Sequence, residues 1–207
     1  MFGILTAMTL KAKCLLSIPP NSITGEKFFT LMLVIPIKNQ DYGVNMHVRK
    51  AEMNDLADIM RIYKIAQDFM ISTGNPDQWG HSYPKRELIE EDINNGVCHV
   101  ICENDSLHGV FALFKGEEPT YSHIENGKWL NDDEYVTLHR IASDARKKGI
   151  FGCAVNYCKD ISDNIRIDTH ENNRIMQNLI EKNGFQRCGT IFVADGSPRI
   201  AYQWIGK

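Results

Sequence analysis

The chain has 207 residues, 43% of them hydrophobic and 24% charged, with 23 Lys and Arg against 26 Asp and Glu. That length and composition suit one soluble globular domain, or one domain plus an appendage, and they exclude a disordered or collagen-like chain. A formal charge of −3 offers no global basic field for nucleic acid. The longest apolar run, Phe28 to Ile37, is broken by Thr30 and Pro36 and falls short of the roughly 20 residues that cross a bilayer. Neither nucleic acid nor membrane is therefore an expected partner.

Residues 1–45 carry +2, leaving −5 on residues 46–207. The first segment holds Pro19-Pro20 and a Thr24-Gly25 turn but no sustained helical or strand period. It is read as an irregular leader, with Met46 a candidate for the true start; the alternative is an extension whose Phe28–Ile37 run docks on the domain. The six cysteines form no C-x-x-C pair and, with the histidines, no zinc-ligand spacing. They are expected to be reduced, buried small hydrophobes in a cytoplasmic protein that holds no metal.

From His47 the pattern is regular. His47 to Ala51 suits a strand. Asn54 or Asp55 then caps a helix with Leu56, Ile59, Met60, Tyr63, Ala66, Phe69 and Met70 as its apolar stripe. Pro84 fits the first turn of a second helix, whose Glu87, Glu90, Glu91 and Asp92 read as a solvated acidic face near its positive end. Strands follow at about 97–103 and 107–115, joined by an Asn104-Asp105 turn, and Glu117 to Asp133 is polar and turn-rich. A strand at 135–142, a helix at 149–161 and a strand at 164–169 come next. A helix opening at Asn172-Asn173 and stopped by Gly184 leads to a closing hairpin at 185–193 and 199–204. The order β-α-α-β-β-β-α-β-α-β-β predicts an α/β fold, a mixed sheet with helices on it.

The chemistry points to Leu138 through Gly152. A strand runs there into three successive basic residues, Arg146, Lys147 and Lys148, then Gly149 and a helix. Such a loop aims backbone N–H groups and a helix N-terminus at an anion, although a solvated basic turn has the same look. The glycine spacings of P-loops and dinucleotide folds are absent.

Arg146-Lys147-Lys148-Gly149-Ile150-Phe151 resembles motif A of the GNAT (GCN5-related) N-acetyltransferases, R/Q-x-x-G-x-G/A. Asn173-Arg174-Ile175-Met176, leading to Gly184-Phe185, resembles motif B. The likeness runs from about His47 to Trp204. It implies a mostly antiparallel sheet flanked by helices, with a splayed parallel strand pair in the middle that receives acetyl-CoA as acyl donor. The backbone of Ile141 and Ser143 would then pair with pantetheine. The amides of Arg146 to Gly152, Ile150 and Phe151 included, would cradle pyrophosphate beside the three basic side chains, and Asn173 would bond the pantetheine arm. Phe151 stands where the family has a small residue, and Ile180 where it often has a thiolate-protonating Tyr.

Acyl transfer to an amine needs a group that takes the ammonium proton and a donor that polarises the thioester carbonyl. His139 is the first candidate base, because an imidazole titrates near neutrality, and Glu134 the second. Alternation along the strand predicts His139 and Ile141 on one face, with Leu138 and Arg140 on the other. Between the first two helices, Asp77, Trp79 and Tyr83 are candidates to hold an acceptor amine, or Trp79 serves only as a packed lid. The expectation is an acetyl-CoA-dependent N-acyltransferase acting on a primary amine of a small molecule or peptide, as a monomer or homodimer. A non-catalytic acyl-CoA-binding module is the alternative. The −5 domain disfavours DNA binding.

Overall fold

The computed structural model describes residues 46–206; the expectations for residues 1–45, and Cys14 with them, lie outside the described residues. The chain forms β1 (Met46–Lys50), α1 (Leu56–Ser72), α2 (Arg86–Asn94), β2 (Cys98–Glu103), β3 (Ser106–Lys115) and β4 (Val136–Ser143). It continues with α3 (Ile150–Lys159), β5 (Asn164–Thr169), α4 (Arg174–Lys182), β6 (Gln186–Phe192) and β7 (Pro198–Ile205). One seven-stranded sheet runs β1-β2-β3-β4-β5-β7-β6. Every neighbouring pair is antiparallel except β4 and β5, which are parallel. The predicted order and the mixed, mostly antiparallel sheet are both present. Among the described residues no helix is long and apolar enough to cross a membrane.

Strand alternation sorts the core into two layers. On one face Cys98, Val100, Cys102 and Val110 meet Leu56, Ile59, Ile62 and Tyr63 of α1 and Ile89 and Ile93 of α2. On the other, Ile101, Phe111, Leu138, Ile165 and Ile167 meet Ile150, Phe151, Ala154, Val155 and Cys158 of α3 and Ile180 of α4. Each fully buried aliphatic side chain of this kind contributes roughly 1.5–3 kcal/mol. Gly109 allows α3 to approach β3, since a Cβ there would lie 2.5 Å from Ile150 Cγ2. The five described cysteines are free and buried. Burial pushes the Cys98 and Cys158 thiols up to about 12, so neither is a thiolate at neutral pH.

Some local expectations are corrected. Phe69 is half exposed and Gln67 takes its place in the buried stripe, donating to the Tyr83 carbonyl at 2.8 Å. Asp55 makes no side-chain cap on α1; it pairs with Arg49 at 2.7 Å. Pro84 precedes α2, whose N-cap is Lys85, rather than sitting in its first turn. On α4, Ile175 and Leu179 are exposed, and Gln177 is buried with Ile180.

Candidate active site

β4 and β5 pair only at Val136 with Ile165 and Thr137 with Arg166, then part. Beyond that point a cleft of about 580 Å³ opens. Its walls include Leu138 to Ile141 of β4, Ile167 to Thr169 of β5, Asn173 and Met176. The α1–α2 loop closes one side with Asp77, Trp79 and Tyr83, so the structure brings all three acceptor candidates to the cleft. Trp79 also packs edge-on against Tyr63, with centroids 5.7 Å apart, and is thus wall and lid together.

The strand that carries the site is irregular. From Val110 to Ala112 β3 advances two residues while the facing β4 steps three, from Ala142 back to His139. The extra residue is a β-bulge at Arg140, whose φ of +52° is costly for a side chain of that size. Three partners hold it. The Tyr63 hydroxyl donates to the Arg140 carbonyl at 3.0 Å, the guanidinium pairs with Asp92 at 2.7 Å, and it lies 5.2 Å from the centre of the Phe114 ring. Asp92 is therefore not part of a solvated face. It is buried at the end of α2, and burial raises its pKa although Arg140 opposes the rise. The bulge also overturns the expected alternation: Ile141 packs with Leu138 in the α3 layer, whereas Arg140 reaches across to α2.

His139 lies beside the bulge in a set of side chains that no local pattern marks. Its Nε2 is 3.2 Å from Glu118 Oε2, and its Nδ1 is 3.8 Å from Asp168 Oδ1. Tyr121 donates its hydroxyl to Asp168 Oδ1 at 2.7 Å, and Thr120 donates to Glu118 Oε1 at 2.9 Å. The hydrogen bond from His139 pulls the Glu118 carboxyl down to about 2, against the effect of burial. Burial, assisted by Asp168, holds the Tyr121 phenol well above its ordinary value. Glu118 and Asp168 were not among the candidates. The available signals were Glu118-Pro119, a carboxylate before a Pro-initiated turn, and the polar Asp168 beside Ile167 on β5. Glu134, the second candidate base, is exposed ahead of β4 and does not line the cleft.

Past β4 the chain enters the basic loop. Asp144 is buried and accepts from the Arg146 amide through Oδ1 at 3.0 Å, while its Oδ2 lies 3.0 Å from His108 Nδ1. The Asp144 amide donates to the His108 carbonyl at 3.0 Å, and Ser143 Oγ accepts from Ala145, whose φ is +60°. The Arg146 amide, expected to face an anion, is thus already engaged. Lys147 is ion-paired with Glu103, Arg146 Nε approaches Asp144 at 3.7 Å, and Lys148 is exposed. Gly149, at φ +85°, turns the chain into α3, whose first-turn amides of Ile150, Phe151 and Gly152 lack carbonyl partners by helix geometry. The Phe151 side chain is buried in the core, so only its backbone remains for a ligand. Asn173 caps α4 through the Met176 amide at 3.1 Å and donates to Gln78 at 2.9 Å, linking the start of α4 to the α1–α2 loop. Ile180 is fully buried, so no hydroxyl replaces the missing Tyr there.

The solved structures decide the family. An acetyltransferase of the GNAT family from Streptococcus agalactiae is 35% identical, with a TM-score of 0.71, over 78% of this chain and 96% of that one. The chain belongs to the GNAT family of acetyltransferases. A GNAT-family acetyltransferase from Listeria monocytogenes shares the fold at 22% identity and TM-score 0.56, over 77% of this chain and 94% of that one. So does a chain of the NatC complex bound to Gag peptide and CoA, at 12% identity and TM-score 0.51, over 79% and 99%. No family model matches the sequence, and no curated protein matches it. Among the described residues no group of His, Cys, Asp and Glu is arranged to hold a metal ion.

Proposed function

We propose that this GNAT protein transfers an acetyl group from acetyl-CoA directly to a primary amine of a small molecule or peptide. The observation that carries the reading is the splayed β4–β5 pair with His139 in the cleft beside the bulge. The open β4 edge offers main-chain groups to pantetheine, and the first turn of α3 offers amides and a positive dipole end to pyrophosphate. The Ile141 amide, next to the bulge on the open stretch of β4, would polarise the thioester carbonyl. His139 takes a proton from the acceptor's ammonium group, and the freed lone pair attacks the carbonyl carbon. The C–S bond breaks, and the thiolate leaves with the second amine proton. No described cysteine lines the cleft, which removes Cys as proton donor to that thiolate.

Calorimetry with acetyl-CoA beside a thiol-release assay on a panel of amines tests the reading. Binding together with release on at least one amine is the expected result. Binding without release on any amine would favour a non-catalytic acyl-CoA-binding module, the role to which the buried Ile180 leans. No binding defeats both.

A further inference from the structure

Glu118 and Asp168 stand on either side of His139, and all three line the cleft. We propose that the two carboxylates form the seat of the acceptor's ammonium group, and that the acceptor is an aliphatic primary amine with no carboxylate on the carbon bearing its nitrogen. The inference deepens the transferase reading and rests on it for the reaction, though not for binding.

Two carboxylates here face one imidazole, and among the described residues neither is ion-paired with a Lys or Arg. Arg140 is held by Asp92, and Arg199 donates to Ser197 Oγ and to the Pro198 carbonyl, both at 2.9 Å. Glu118 is rigidly placed: Thr120 bonds one of its oxygens and His139 the other. On Asp168, Tyr121 takes Oδ1, and no described residue donates to Oδ2. The next residue of β5 also lacks a partner. The Thr169 hydroxyl is buried without a hydrogen-bond partner, and Thr169 lines the same cleft.

An ammonium group supplies three donors and one positive charge, which suits two carboxylate oxygens and an imidazole nitrogen. An arylamine is neutral at pH 7 and brings no charge to the seat. An α-amino acid places a carboxylate beside its nitrogen and against Glu118 and Asp168, a repulsion that works as specificity. The proton balance is closed. One ammonium proton passes to His139 and then to water, the nitrogen lone pair forms the C–N bond as the C–S bond breaks, and a second nitrogen proton leaves on the thiol.

The test compares butylamine, norleucine and aniline as acceptors, with Asp168→Asn and Glu118→Gln. Butylamine is expected to exceed the other two by about a hundredfold in kcat/KM. Either variant should raise the KM for butylamine tenfold or more while the KM for acetyl-CoA stays within twofold, a split that general loss of structure does not produce. Norleucine or aniline matching butylamine overturns the proposal, as does an unchanged amine KM in both variants. Saturation-transfer NMR of butylamine with the full chain, without acetyl-CoA, keeps the seat separable from the reaction. A signal lost in Glu118→Gln supports the seat even where turnover fails, and absence of any signal in the unsubstituted chain overturns it.

Discussion

The loop after β4 and the acceptor side of the cleft grow from the same strand but are built from different parts of the chain. The loop works with main chain: a buried carboxylate, Asp144, fixes the Arg146 amide and is itself held by His108. The proposed acceptor side would work with side chains, His139 between Glu118 and Asp168, brought from three separate segments. On the proposed reading a shared donor is held by backbone whatever the side chains, which would let Phe151 stand there. Acceptor recognition has to change with side chains, and so it is drawn from loops and strand ends. Between the two regions lies the bulge at Arg140, and substitutions on each side should separate their contributions.

The largest effect is expected at the acceptor side. His139→Ala should lower kcat by about 10²–10⁴, the usual worth of a positioned general base, and leave the affinity for acetyl-CoA unchanged by calorimetry. A loss below threefold would remove His139 from proton transfer. Next comes the divider itself. Asp92→Ala leaves the buried Arg140 guanidinium unpaired and should cost about 3–5 kcal/mol in urea unfolding, because both side chains are nearly buried. The double variant Asp92→Leu with Arg140→Met should recover much of that stability but not the rate, if the pair serves to shape the bulge.

The same divide governs what could be read in advance. Local signals placed the elements: the Asn104-Asp105 turn, the Asn173 cap, Gly149 at the entry to α3 and the strand at 164–169 all stand as expected. The bulge has no such signal. Neither Gly nor Pro marks it, and it exists because Tyr63 and Asp92, distant in the chain, stabilise one strained residue. It then displaces Ile141 from the face that simple alternation assigned. Glu118 is silent in the sequence for a related reason: a carboxylate in a polar turn has nothing local to distinguish it until a strand places His139 beside it.

On the cofactor side, Asp144→Asn weakens the contact with His108 and the anchor of the Arg146 amide. We expect roughly tenfold weaker binding of acetyl-CoA, corresponding to about 1.4 kcal/mol, with acetyl-pantetheine, which lacks the pyrophosphate, bound as before. An equal loss for both donors would show that Asp144 shapes the strand edge rather than the loop. A smaller effect concerns pH. The folded Glu118 carboxyl lies at about 2, below its ordinary 4.5. Its contribution to stability is therefore present above about pH 4.5 and is lost as pH falls through 2. Glu118→Gln should thus lower the midpoint of thermal unfolding at pH 6, and the difference from the unsubstituted protein should close as the pH is taken toward 2.

The smallest effect is predicted where the sequence is most conspicuous. Three adjacent basic residues invite the view that their charges hold the pyrophosphate, but Lys147 is paired with Glu103 and partly exposed. Removing it deletes one charge and releases another of opposite sign, and exposed pairs of this kind contribute about 0–1 kcal/mol. Lys147→Ala should therefore change acetyl-CoA affinity less than threefold at 0.15 M salt, and Glu103→Gln, which frees the lysine, should tighten binding slightly. If Lys147→Ala instead weakens binding as much as Asp144→Asn, the loop works through its side chains after all. The contrast between a main-chain cofactor wall and a side-chain acceptor wall then fails at its most exposed point.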